Sequence, residues 1–402
     1  MAMIEPRSAA PRDQAEADHV ATTFLRSTVG GPPAGPRRRA RFHPLAVSGV
    51  RRLTADSVEV TFAVPPELVG EYDYLPGQFV ALRATIDGAQ LRRSYSLCRP
   101  PEPGSLSVAI KRDIGGVFST WAQTELGVGD TLDVMSPEGT FTSSIADLDG
   151  KHLAGIAAGS GIAPLMALAT AVLSRSGTSQ FTLVYTNRST SDVMFLDELA
   201  DLKDRHPTRL ALHHVLSREQ RSAPLLSGRI DEPRLRTILD ELVLPETISE
   251  WFLCGPFDLV QLCRDTLADI GVPREHIRYE LFTTDDDASH GAGPSGYSGS
   301  PVVVREDEPV VAIDFTLDGQ SSTVQSPVAA NETILNAALR VRPDVPFACA
   351  GGVCGTCRAR LLDGSVTMSE NYALEPEELE RGYVLTCQSH PTSERVRVDY
   401  DV

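Results

Sequence analysis

The spacing of four cysteines constrains this chain more than any other feature. Cys349, Cys354 and Cys357 fall inside nine residues as C-x4-C-x2-C, and Cys387 follows after 29 intervening residues. A tight loop that presents three thiolates, answered by a fourth from a separate element, is the spacing that holds a [2Fe–2S] cluster. Gly351, Gly352 and Gly355 allow left-handed backbone and let N–H groups approach the cluster sulfurs closely. A structural zinc site is the alternative use of four thiolates, but it takes them as two paired knuckles rather than three plus one. Disulfides fit less well, because no signal peptide is visible and an intracellular chain keeps its thiols reduced. The expected metal ligands are therefore Cys349, Cys354, Cys357 and Cys387.

At 402 residues the chain has room for two to four domains. Its formal charge is -17, which disfavours a nucleic-acid-binding surface. Leu153 to Leu173 is uncharged and long enough to cross a bilayer. Gly155, Gly159, Ser160, Gly161 and Pro164 interrupt it, so it reads as buried strand, turn and helix. The expectation is a cytoplasmic protein with no membrane span.

Residues 1–41 are rich in Ala, Pro, Arg and Gly, lack periodicity, and are expected to form a disordered tail. Arg37-Arg-Arg39 is not followed by the apolar stretch of an export signal. Glu16-Ala-Asp-His19 has the Glu-x-x-His form of di-iron helices, yet a single copy without packed helices and further glutamates is chance.

From residue 42 to 147 short strands alternate with turns, which predicts a small antiparallel β-barrel. It carries Arg93-Ser94-Tyr95-Ser96, which resembles the R-x-Y-S motif of the ferredoxin-NADP reductase superfamily. Arginine offers a planar cation to a phosphate, the Tyr ring can stack on a flavin, and a Ser hydroxyl can bond its polar edge. Arg93 and Tyr95 share one face of the strand. Lys111-Arg-Asp-Ile-Gly-Gly-Val-Phe-Ser119 resembles the second flavin motif of that family, with Lys111, Gly115, Gly116, Val117 and Ser119 as candidate contacts. Here a helix N-terminus would face a pyrophosphate. Ser136-Pro-Glu-Gly-Thr-Phe141 resembles the turn that closes the family's barrel. FAD is the expected flavin, with FMN as the alternative.

Residues 148–283 alternate strands with helices and predict a parallel α/β sheet of nucleotide-binding type. Its first turn, Ala158-Gly-Ser-Gly-Ile-Ala-Pro164, has the G-x-G-x-x-P form of the reductase family, so Gly159, Ser160, Gly161 and Pro164 are candidate cofactor contacts. Proline costs nothing in a helix's first turn. Asn187, Arg188, Ser189, Ser217 and Arg218 end the next strands. Cations and donors there, where an acid would suit NADH, point to the 2′-phosphate of NADPH. Phe252-Leu-Cys-Gly-Pro256 resembles the family's Cys-Gly-Pro turn, which places Cys254, Gly255 and Pro256 beside the nicotinamide. Glu280-Leu-Phe282 resembles the acidic and aromatic pair that approaches the flavin. By the same resemblance Tyr95, Ser96, Cys254, Glu280 and Phe282 form the catalytic set. Cys98 and Cys263 read as core.

Residues 284–308 hold three consecutive Asp and then a Gly/Ser-rich run, a flexible linker. Residues 309–402 resemble the β-grasp fold of plant-type ferredoxins. The three modules make a relay: NADPH yields two electrons as hydride, a cluster accepts one, and FAD can take two and release them singly. The acceptor must lie outside the chain, since the sequence contains no evident haem, copper or di-iron ligand set.

The order of modules resembles oxygenase reductases with a C-terminal ferredoxin. More narrowly, the segment Met368 to Gln388 with Phe195-Leu-Asp-Glu-Leu199 is similar to the reductase subunits of phenylacetyl-CoA 1,2-epoxidase complexes. That resemblance implies a di-iron oxygenase partner that epoxidises phenylacetyl-CoA. Reductases of Rieske-type steroid or aromatic-ring hydroxylases share all three modules, and a non-catalytic ferredoxin-type carrier or redox sensor is a reading from another class. Glu370, Glu375, Glu377 and Glu378 are candidate docking residues for a partner.

Overall fold

In this computed structural model the described residues are 41–143, 148–281, 308–342, 345–347, 352, 355–371, 373–374 and 376–401. Outside them lie nearly all of the expected tail and linker, the Glu16–His19 motif, Phe282, Gly351, Glu375 and the two cysteines Cys349 and Cys354.

The first module is built from β1 (Phe42–Thr54), β2 (Ser57–Ala63), β3 (Phe79–Ile86), β4 (Ala89–Ser96), β5 (Ser105–Lys111) and β6 (Thr131–Met135). They pair in the order β4-β3-β6-β1-β2-β5, all antiparallel. A bridge between Leu97 and Val108 ties the two edge strands together, so the sheet closes into the expected barrel. Inward residues such as Leu45, Val60, Phe62, Leu82 and Val108 are almost fully buried and fill it. The helix Val117–Thr124 starts at Gly116 and packs Phe118 and Ala122 against the barrel core.

The second module is a five-stranded parallel sheet: β7 (His152–Ala158), β8 (Gln180–Asn187), β9 (Leu210–Leu216), β10 (Glu250–Gly255) and β11 (Ile277–Leu281). Its order is β11-β10-β7-β8-β9, so the direction of winding reverses between β7 and β10. Helices cover both faces, as the buried apolar runs of the central strands require. The uncharged window resolves into β7, a short turn and the helix Ile162–Arg175, and no helix among the described residues is long and apolar enough to cross a membrane. Phe195 caps a helix with φ of 59°, and the helix runs Leu196–Arg205. A bulky residue in that region is unusual, and it persists because the ring is 1% exposed and has the Arg99 guanidinium 5.3 Å from its centroid.

The third module has β12 (Val310–Leu317), β13 (Gln320–Pro327), β14 (Arg358–Asp363), β15 (Val366–Met368), β16 (Tyr383–Leu385), β17 (Ser389–Pro391) and β18 (Arg395–Asp399). The main sheet has the order β13-β12-β18-β14-β16, with β15 and β17 in a separate pair. Strict alternation along β12 buries Val311, Ile313, Phe315 and Leu317 under the helix Ile334–Leu339. Asp318 and Gly319 both take positive φ and make the two-residue turn that fixes the β12–β13 register.

Candidate functional site

The nucleotide crevice follows from the sheet order. Ligands of open parallel sheets bind beyond the strand C-termini where winding reverses, here between β7 and β10. Gly159–Gly161 follows β7, and Gly255 and Pro256 end β10. A Cβ on Gly161 would stand 2.1 Å from the Cys254 carbonyl oxygen, so only glycine lets these two ends approach. Gly159 has φ of 53° and open space where a Cβ would point. Beside them lies a cleft of about 350 Å³ bordered by Lys111, Gly159, Asn187, Arg188, Ser217 and Pro256, among others. The amide of Asn187 is buried in that wall beside the Tyr185 hydroxyl and makes no close hydrogen bond there, which leaves it able to meet a ligand.

The expected cations of this cleft stand in different situations. The Arg188 guanidinium lines the cleft but is paired with Asp192 at 2.6 Å and with Asp56 of the barrel at 3.1 Å. Ser189 donates to the same Asp192. Burial works to raise the Asp192 carboxyl, and its bonds from Ser189 and Arg188 outweigh that and hold it below the usual carboxylate range. Arg218 is exposed, receives no side-chain partner among the described residues, and borders a second cleft of about 500 Å³ with Ser217, Gly228 and Arg234. Lys111 sits 3.6 Å from Asp56, so this one aspartate ties the second flavin motif to the nucleotide module.

Strand β4 presents two faces. Tyr95 packs on its barrel side, with the Phe118 ring 5.9 Å away, and the Arg93 guanidinium donates to the Arg92 carbonyl at 2.8 Å. Ser94 and Ser96 face the other way. Ser94 Oγ is buried without a partner, and Ser96 Oγ donates to Glu280 Oε2 at 3.0 Å. In the second motif Gly115 has φ of 81° and no atom within reach of a Cβ, leaving room for close approach of a ligand to the backbone. Val117 is half exposed at the start of the helix. The Ser119 hydroxyl accepts from the Asp113 amide at 3.0 Å and braces the loop. A half-buried tyrosine beside the Phe118 helix and an open glycine loop before it fit a flavin, and the orphaned Ser94 hydroxyl lies on the opposite face of the strand.

Cys254 and Glu280 are register partners on β10 and β11, so Ser96, Glu280 and Cys254 meet where barrel and nucleotide sheet touch. Burial pushes the Cys254 thiol well above its ordinary value, and the Glu280 carboxylate adds to this. The thiol therefore stays neutral and serves as packing. Cys98 behaves alike, raised by burial first and then by Glu59, and Cys263 is pushed up to about 12 by burial.

Of the expected cluster ligands, Cys357 and Cys387 are described, and both are buried in the third module's core. Thr386 donates to the Cys357 carbonyl at 2.9 Å and receives the Tyr400 hydroxyl at 3.0 Å, which fixes the two cysteine segments against each other. Gly352 and Gly355 take φ of 78° and 69°. Two buried thiols without disulfide partners, flanked by left-handed glycines, fit a thiolate-held cluster. Among the acidic docking candidates, Glu370 and Glu377 are exposed, while Glu378 is bound to Arg358.

Sequence reading did not find the acids that organise this surface. Glu59 is 5% exposed and accepts from Arg99 at 2.5 and 2.8 Å and from Arg51 at 2.7 Å, and both arginines reach on to Glu198 of the nucleotide module. Glu198 lies 99 and 147 residues from the two arginines, and no local pattern announces the contact.

Comparison with known proteins places these modules in a family. Family models for an oxidoreductase FAD-binding domain match residues 44–143, for an oxidoreductase NAD-binding domain 156–265, and for a 2Fe-2S iron-sulfur cluster binding domain 315–392. The chain is 42% identical to a subunit of the 1,2-phenylacetyl-CoA epoxidase of Escherichia coli, over 90% of this chain and 98% of that one. It is 32% identical to the ferredoxin reductase component of 3-ketosteroid-9-alpha-monooxygenase of Rhodococcus rhodochrous, over 89% and 96%. Phthalate dioxygenase reductase has the same fold, with a TM-score of 0.52 and 21% identity over 89% of this chain and 98% of that one. The chain thus belongs to the ferredoxin-NADP-reductase-type oxygenase reductases with a C-terminal [2Fe–2S] domain, the family that includes the Escherichia coli epoxidase component, and is an oxidoreductase that carries electrons from a pyridine nucleotide through FAD to the cluster.

Proposed function

We propose that this reductase supplies electrons from NADPH to a di-iron oxygenase that epoxidises phenylacetyl-CoA. The carrying observation is the end-to-end 42% identity to the epoxidase component, against 32% for the Rhodococcus steroid monooxygenase component at similar coverage. Bound FAD would take a hydride and release its electrons singly. Around it the chain's own residues have separate roles. Gly159, Gly161 and the amide of Asn187 hold the nucleotide at the strand ends, and Gly255 with Pro256 directs its reactive end toward Ser96. Ser96 donates its hydroxyl proton to the Glu280 carboxyl, which orients both side chains at the hydride-transfer face. Cys254 excludes water there as a buried neutral thiol. Arg93, Gly115 and the Gly116 helix start bind the flavin phosphates, and Cys349, Cys354, Cys357 and Cys387 hold the cluster.

The choice of NADPH is supported by Arg218, the exposed guanidinium bordering the second cleft, with Arg234 nearby. Arg188 contributes less to it, because two carboxylates already share its charge. A cytoplasmic setting suits the buried free thiols Cys98, Cys254 and Cys263. Reconstitution with the oxygenase subunits of a phenylacetyl-CoA epoxidase tests the reading. NADPH oxidation coupled to phenylacetyl-CoA consumption is expected. Coupling to a Rieske-type steroid hydroxylase, and not to the epoxidase, would replace it with the steroid reading.

A further inference from the structure

Strand β4 touches both neighbouring modules with the same face. Ser96 bonds Glu280 of the nucleotide module, Ser94 comes next on that face with its hydroxyl orphaned, and Arg92 follows. The Arg92 guanidinium donates to the Phe347 carbonyl at 2.5 Å and lies 4.0 Å from the centroid of the Phe347 ring. Phe347 stands two residues before the cluster ligand Cys349. On the barrel side the same guanidinium lies 4.5 Å from the Phe42 ring. Arg83, its cross-strand partner, also approaches Phe42 at 4.4 Å, but its charge is held by Asp133 at 2.9 Å.

Arg92 is 9% exposed. A buried guanidinium must be met by acceptors or aromatic faces, and part of what meets this one comes from the start of the cysteine loop. We propose that Arg92 is the positioning residue that docks the cluster loop onto the flavin barrel, by clasping Phe347 through its ring and its carbonyl. Ser96 lies four residue steps along the extended strand from Arg92, a span of about 13 Å. One strand therefore sets the hydride-transfer face and the cluster loop at a fixed spacing, with the flavin wall between. Bound FAD and a bound [2Fe–2S] cluster would supply the one-electron transfer between barrel and ferredoxin module, and Arg92 with Phe347 would set the spacing that this transfer depends on.

The test compares wild type, Arg92→Ala, Phe347→Leu and the double variant as holoproteins with unchanged flavin and cluster absorbance. Reduction of ferricyanide, taken from the flavin, should be unaltered by Arg92→Ala, while the rate of cluster reduction after mixing with NADPH falls about tenfold, the worth of a desolvated cation–π contact with its hydrogen bond. Small-angle X-ray scattering, a readout independent of turnover, should show a larger radius of gyration for each single variant and no further change in the double variant. Wild-type scattering and cluster reduction in Arg92→Ala would overturn the proposal. So would effects of Arg92→Ala and Phe347→Leu that add independently, or an equal loss of both activities in Arg92→Ala, which would make Arg92 part of the flavin site instead.

Discussion

Ser96 and Glu280 lie 184 residues apart and meet through a 3.0 Å hydrogen bond between the barrel and the last strand of the nucleotide sheet. With Cys254 in register beside Glu280, this contact is where the proposed function has a nicotinamide and a flavin face one another. Ser96→Ala and Glu280→Gln should each slow flavin bleaching by NADPH about 10²-fold or more, with the nucleotide's dissociation constant little changed. Stopped-flow absorbance gives both quantities. A purely architectural contact would instead weaken flavin retention and leave the bleaching rate of the loaded protein intact.

Nucleotide preference should respond to Arg218 and hardly to Arg188. Arg218→Ala is expected to raise KM for NADPH about tenfold while leaving KM for NADH within twofold, because a charged hydrogen bond to a phosphate is lost. Equal changes for both nucleotides would remove Arg218 from the 2′-phosphate site.

Gly161 should tolerate no side chain. In Gly161→Ala the new methyl would meet the Cys254 carbonyl oxygen at 2.1 Å, and that oxygen belongs to a buried strand that cannot swing away. The variant should lose about 1–3 kcal/mol of stability and bind NADPH more weakly, by urea unfolding and by titration. Gly159→Ala, at a position with open space but φ of 53°, should cost less stability.

Acid should weaken the join between barrel and nucleotide module through Glu59. Burial alone would raise its carboxyl, but Arg99 and then Arg51 hold it below its ordinary 4.5. A folded-state value below the unfolded one means the pair's contribution is fully present above about pH 4.5 and is lost as pH falls through the lowered value. Unfolding midpoints measured between pH 7 and pH 3 should therefore fall more steeply for wild type than for Glu59→Gln. Arg99→Ala should cost about 2–3 kcal/mol at neutral pH. Parallel curves for wild type and Glu59→Gln would show that this carboxylate does not carry the linkage.

The three-module order was legible because each module advertises itself locally. Cysteine spacing, R-x-Y-S on a strand and G-x-G-x-x-P after a strand each need only a short window, since a loop or a strand end supplies the whole chemical unit. The contacts between modules were not legible. Asp56 with Arg188, Glu198 with Arg99 and Arg51, and Arg92 with Phe347 join residues that ordinary surface patterning would leave in solvent. The left-handed conformation of Phe195 was not legible for a related reason: burial of its ring, not a local turn signal, decides it.

The most direct test of the relay is anaerobic reduction of wild type and Cys354→Ser by NADPH, followed at flavin and cluster wavelengths and with two acceptors. Wild type should bleach the flavin first and the cluster next, and should reduce both ferricyanide and cytochrome c. Cys354→Ser should keep flavin bleaching and ferricyanide reduction while losing cytochrome c reduction. Equal loss of both activities, or cytochrome c reduction at the wild-type rate without an intact cluster, would contradict the path from nucleotide through flavin to cluster.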